Sequence, residues 1–149
     1  WIPHDLRGKD RKLLWQSRYD DMNAYEKTGR RNNVVVLKFF LNVSKKEQRQ
    51  RFLERLDDPE KHWKFSSADL RERAHWDEYQ QAYEDMLNAT STECAPWYII
   101  PADKKWFARA CVADIITSRI RELDLKFPTI SDDERAALAE ARRELETEE

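Results

Sequence analysis

The sequence runs to 149 residues, 40% hydrophobic and 38% charged, with 27 Lys and Arg against 29 Asp and Glu for a net charge of −2. That length suits one domain, or a piece of one, with much exposed helix. The near-balanced charge supplies no overall field for nucleic acid or an anionic membrane, so any anion site must be local.

Residues 1–10, WIPHDLRGKD, read as a turn because Pro3 and Gly8 interrupt regular structure. An amphipathic helix is predicted from about Arg11 to Lys27, where Leu14, Trp15, Tyr19, Met22 and Tyr25 recur near 3.6-residue spacing, with Gly29 as its left-handed terminator. VVVLKFFLNV follows, apolar on both alternating sets, as a strand buried on both faces reads. It is too short, and too interrupted by Lys38, to span a bilayer, and no leader pattern opens the chain. Ser44 with Glu47 makes a capping-box pattern for a helix from about Lys45 to Leu56, whose surface carries Lys45, Lys46, Arg49, Arg51 and Arg55. DDP stops it, and EKHWKFS leads through Ser66 and Asp69 into a third helix reaching about Asn88, with Leu70, Ala74, Tyr79, Tyr83 and Met86/Leu87 along one side.

A second strand, WYIIPA, is followed at once by Asp103, a good N-cap, and a helix from Lys104 to about Leu123 with Phe107, Cys111, Ile115/Ile116 and Ile120 inward. Ser131 with Glu134 opens a charged terminal helix, whose Ala137, Leu138, Ala141 and Leu145 suit packing on a neighbouring subunit or a solvated tail equally. Strands joined through helices pair in parallel by a right-handed crossover, so the fold class is α/β, with parallel strands flanked by helices. Two strands make a poor sheet, and further chain or another subunit is expected to complete it.

With Gly8 and Gly29 the only glycines, the chain cannot supply a phosphate-cradling loop, which brings several backbone N–H groups against the oxygens. Cys94 and Cys111 lack disulfide or zinc spacing and read as buried thiols. Anion chemistry concentrates instead in RLDDPEKHWKFSSADLRER, residues 55–73, where Lys61, Lys64, Arg71 and Arg73 surround Trp63 and Phe65. The same residues also describe a solvated basic surface, with Asp57, Asp58 and Glu60 at hand to pair with the cations. His62 and His75 have no nucleophile at a recognisable distance, and Asp57/Asp58 beside a proline suit a cap or turn better than a metal. Lys38, inside a strand, must reach a carboxylate, the strand's open end or a ligand. Asp103, with Lys104 and Lys105, stands at a strand's carboxyl end, where open α/β sheets place ligands.

Residues 34–109, from VVVLKFFLNVSKKEQRQRFLERLDDPEKHWKFS to APWYIIPADKKWFAR, closely resemble the C-terminal half of the polyphosphate kinase 2 family, and LLWQSRYDDMNAYEK resembles its preceding helix. The resemblance covers roughly residues 11–127. It implies a partial P-loop kinase fold with a helical lid at about 45–88, and leaves 128–149 as a separate charged helix. It implies phosphoryl transfer, with magnesium, between inorganic polyphosphate and a nucleoside mono- or diphosphate (ADP or AMP). Lys61, Lys64, Arg73, Arg55 and Trp63 of the lid would contact phosphate or nucleotide, with Lys38, Asp103 and Lys104 as further candidates. The family's Walker A and Walker B elements have no counterpart here, LRGKD being no P-loop, so catalytic residues and magnesium ligands are expected outside these residues. The expected setting is a cytoplasmic homo-oligomer without nucleic-acid or membrane partners. The alternative is a non-catalytic polyphosphate-binding or subunit-assembly module.

Overall fold

The computed structural model describes residues 8–148 and divides into two units, residues 1–116 and 117–149. In the first unit α1 (Gly8–Arg31) precedes β1 (Lys38–Asn42), and α2 (Lys45–Asp57), a 3₁₀ turn (Pro59–Lys64), α3 (Ser67–Ala74) and α4 (Trp76–Thr90) lead to β2 (Trp97–Pro101) and α5 (Lys105–Glu122). β1 and β2 pair in parallel from Lys38↔Trp97 to Asn42↔Pro101, as the helical crossover demands. The long apolar run pairs over only five residues because β2 offers no more. Residues 34–37 precede the ladder outside any strand.

Both faces of the strand pair carry helix. On one, Ile100 is buried and packs with Ala102 and Ala108, against Phe39, Tyr98, Cys111, Val112 and Ile115. The inward face of α5 therefore runs through Ala108, Cys111, Val112 and Ile115, whereas Phe107, expected inward, stays 40% exposed. On the other face Phe40 meets Tyr83 of α4, ring centroids 5.1 Å apart. Leu41 and Ile99 remain 55% and 57% exposed, so the strand pair still presents apolar surface. Cys94 and Cys111 are partly buried rather than sequestered.

α1 starts earlier and ends later than its spacing suggests, at Gly8 and Arg31; the expected turn over residues 1–7 lies outside the described residues. Asn33, not Gly29, takes the left-handed position (φ 60). Val34 N–H donates to Gly29 O (3.0 Å) and Asn33 N–H to Arg30 O (3.2 Å), the paired bonds of a Schellman end. Tyr25, expected on the apolar face, is exposed, and Glu26 is the residue α1 buries. Its carboxylate is drawn in by Lys38.

The third helix is two helices. Ser66 and Asp69 close a reciprocal capping box on α3, which ends at Ala74; His75 (φ −89, ψ 28) leaves the helical path and α4 begins at Trp76. Asp58 caps the 3₁₀ turn, accepting Glu60 N–H, with Pro59 in the first turn where its missing N–H costs nothing. In the second unit the end of α5 and α6 (Asp132–Thr147) are joined through residues 123–131, and Ser131 and Glu134 form the expected capping box. Leu138 and Leu145 of α6 are exposed.

Candidate functional site

Helix α2 is rooted at the carboxyl ends of the strands. The ladder continues past them, Ala102 N–H donating to Asn42 O at 2.8 Å. Ser44 caps α2 by accepting Glu47 N–H (3.1 Å), but the other half of the expected box is not made. Ser44 N–H goes instead to Oδ1 of Asp103 (2.7 Å), and Glu47 holds Nε of Arg51 (2.9 Å). Nη2 of Arg51 then donates to the carbonyls of Ala102 (2.7 Å) and Asp103 (3.2 Å). Asp103, expected to cap its own helix, therefore serves α2, and the first bond of α5 is accepted by the carbonyl of exposed Lys104 from Ala108 N–H. The Ser44 backbone and side-chain donors hold the Asp103 carboxyl below its usual range. The root of α2 is thus tied to the end of β2 by donors from both Ser44 and Arg51.

Beyond that root, the 3₁₀ turn is folded back on α2. Phe65 stands edge-on to Phe52 (centroids 6.0 Å, 84°), and Nε2 of His62 donates to Leu56 O at 2.9 Å. Lys61 pairs with Asp58 at 2.6 Å, and each shifts the other: the Lys61 hydrogen bond lowers the Asp58 carboxyl and the Asp58 hydrogen bond raises the Lys61 ammonium. Trp63 is 79% exposed with the Lys64 ammonium 4.9 Å from its ring centroid, and the Arg55 guanidinium lies 5.5 Å from that of Phe52. The turn presents cations and a flat ring to solvent on a short capped element.

Arg73 is placed elsewhere. It helps line a cleft of about 440 Å³ between β1 and helices α2–α4, where Nη1 donates to Oε1 of Gln48 (2.6 Å) and the guanidinium lies 5.8 Å from the Trp76 ring centroid. Lys45 approaches the same ring at 5.8 Å. Phe40, Phe52, Tyr79 and Tyr83 add aromatic wall, and Asp69 and Glu72 add negative charge. The five lid candidates of the sequence therefore fall into two groups, Arg55, Lys61, Trp63 and Lys64 on or beside the turn and Arg73 in the cleft. Spacing along the chain gave no hint of that division, because the break at His75 and the folding back of Phe65 are tertiary effects.

Lys38 reaches a carboxylate. Its ammonium bonds Glu26 at 2.7 Å and Thr90 O at 2.5 Å, with both side chains of the ion pair 8% exposed, and lies 5.3 Å from the Trp97 ring centroid. Thr90 also takes Trp97 Nε1–H on its hydroxyl (2.9 Å). With a buried ion pair and a backbone carbonyl engaging its ammonium, Lys38 is a knot joining α1, α4 and both strands. Among the described residues no group of three His, Cys, Asp or Glu is gathered to hold a metal. No helix among them is long and apolar enough to cross a membrane.

A parallel strand pair with a helical excursion rooted at its carboxyl ends defines an α/β arrangement. The family model described as Polyphosphate kinase 2 matches residues 7–128. An uncharacterized protein in the chlN 3' region of Leptolyngbya boryana is 54% identical over 136 residues, 91% of this chain and all of that one. The AMP/ADP-polyphosphate phosphotransferase of Meiothermus ruber is 47% identical over 115 residues, 77% of this chain and 43% of that enzyme. The crystal structure of polyphosphate kinase 2 from Arthrobacter aurescens TC1 superposes with a TM-score of 0.78 at 42% identity, covering 88% of this chain and 48% of that one. The chain belongs to the polyphosphate kinase 2 family. It spans less than half the length of the Meiothermus and Arthrobacter relatives.

Proposed function

We propose that residues 1–149 form the lid-bearing half of a phosphotransferase that moves a phosphoryl group between inorganic polyphosphate and ADP or AMP. The observation that carries this reading is the turn of residues 59–64, which sets Lys61, Lys64 and Trp63 at the tip of an excursion rooted beside the strand ends. Charges of this kind suit a polyanion that must be admitted, neutralised and shielded from water. Lys64 and Arg55 rest on rings rather than on carboxylates, so approaching phosphates displace no strong partner. Lys61 exchanges Asp58 for phosphate. Apolar surface left open at Leu41 and Ile99 is proposed to be covered by further strands, from sequence beyond these residues or from a second polypeptide, which would also bring the phosphate-cradling loop and any magnesium ligands. A cytoplasmic homo-oligomer is the proposed setting, with the lid at about 45–88 and residues 128–149 as an appended helix.

The test is phosphorus NMR on the full-length protein with polyphosphate, magnesium and ADP or AMP. Growth of nucleotide phosphate signals at the expense of polyphosphate supports the reading. Polyphosphate binding without transfer would leave the chain an anion-binding module.

A further inference from the structure

We propose that His62 is the positioning residue of the cationic turn, holding Lys61 and Lys64 outward on one line for a linear chain of phosphates; this deepens, and rests on, the phosphotransferase reading. The carbonyls in the last turn of α2 have no N–H of their own helix to accept. Pro59 brings no N–H to them. The amide of Glu60, four residues past Leu56 and the donor that would have continued the helix, goes instead to Oδ1 of Asp58 at 3.1 Å. Leu56 O is left to a side chain, and Nε2–H of His62 takes it at 2.9 Å. A carbonyl only accepts, so this contact fixes a hydrogen on Nε2 and with it the direction of the ring.

The turn of residues 59–64 is a 3₁₀ helix, in which side chains three apart lie on one side and stand about 6 Å apart along the axis. That period sorts the turn into three sides. Pro59, His62 and Phe65 share the side against α2, where His62 meets the Leu56 carbonyl and Phe65 stands edge-on to Phe52. Lys61 and Lys64 share the next side with Asp58, which pairs with Lys61 at 2.6 Å and faces it together with Glu54. Glu60 and Trp63 share the third, and the Lys64 ammonium lies 4.9 Å from the Trp63 ring centroid. Two ammonium groups spaced along a line match a row of phosphates better than one compact anion. Their direction depends on how the turn is rotated about its own axis. A rotation of about 120°, one residue's step, would set Glu60 and Trp63 where the lysines stand. Of the two contacts that oppose it, the Phe65 edge is non-directional and the His62 hydrogen bond is directional.

The experiment uses the full-length protein as wild type, His62→Leu, His62→Gln, the Lys61→Ala, Lys64→Ala double variant, and that double variant with His62→Leu added. Binding of inorganic tripolyphosphate and of long-chain polyphosphate is measured by calorimetry at low ionic strength, where the remaining cations keep it measurable, and KM and kcat by turnover. His62→Leu should weaken polyphosphate binding and raise its KM by roughly tenfold at a melting temperature near that of wild type. His62→Gln, whose amide N–H can take the Leu56 carbonyl, should restore most of the affinity. In the lysine double variant His62→Leu should cost nothing further, because it acts through those lysines. An equal cost in that background, or unchanged polyphosphate affinity in His62→Leu, overturns the proposal even if the enzyme turns over. The non-additive pattern in a protein that binds polyphosphate and transfers no phosphate keeps the His62 assignment and removes the phosphotransferase reading instead.

Discussion

Asp103 accepts the backbone N–H of Ser44 at 2.7 Å, so a residue just past β2 holds the N-cap of the helix that follows β1. Because the strands are parallel, these residues are 59 apart in sequence and adjacent in space. Asp103→Ala should loosen the root of α2, seen as faster hydrogen exchange at the Ser44 amide with the Lys38 region unchanged. The Ser44 donors lower the folded pKa of Asp103 below its ordinary 3.8. The contribution is therefore present above pH 3.8 and lost as pH falls through the depressed folded value. A melting-temperature profile should show Asp103→Ala converging on wild type only at that acid end.

The Lys38–Glu26 pair gives an asymmetric expectation. Glu26→Ala leaves a buried ammonium without its counter-charge, held by the Thr90 carbonyl and the Trp97 ring, and should destabilise by about 3–5 kcal/mol, whereas Lys38→Met with Glu26→Leu, apolar on both sides, should cost much less. Denaturant unfolding of the single and double variants checks this, and equal losses would contradict it.

His75 sits at the break between α3 and α4, and its Nδ1 meets Glu78 at 2.9 Å, which raises its pKa above the ordinary 6.5. A raised folded pKa stabilises fully below 6.5 and is lost as pH climbs through the raised value. Glu78→Gln should flatten that part of the stability profile, and an unchanged slope from pH 6 to 9 would remove the pair from the account.

Lys64→Ala removes an exposed ammonium whose described contact is the Trp63 ring. Turnover should fall at least tenfold with little change in melting temperature. Arg73→Ala should lower both, because Arg73 also ties α3 to Gln48 of α2. Equal turnover in Lys64→Ala would make that residue scaffold.

Much of the architecture could be read before any coordinates. The Ser66/Asp69 and Ser131/Glu134 boxes, the Asp58 cap and the parallel pairing of KFFLN with WYIIP depend on local chemistry or on connection rules, and these are present in the residues themselves. What could not be read depends on partners distant in sequence. Ser44 gives its N–H to Asp103 rather than closing its box, Glu26 is buried because Lys38 needs it, and Gly29 stays helical because Asn33 accepts the left-handed turn. The cleft was hidden for the same reason. Tyr83 and Phe40 look like ordinary core positions in their own segments, and only the packing of α4 over β1 leaves them partly open.

Hydrogen exchange of the full-length protein with and without long-chain polyphosphate addresses the turn of residues 59–64 directly. Closure of a cationic gate on phosphate requires strong added protection across residues 58–65, lost in a Lys61→Ala, Lys64→Ala double variant that still folds. Polyphosphate that binds without altering exchange in that segment, or protects it equally in the double variant, would contradict the account.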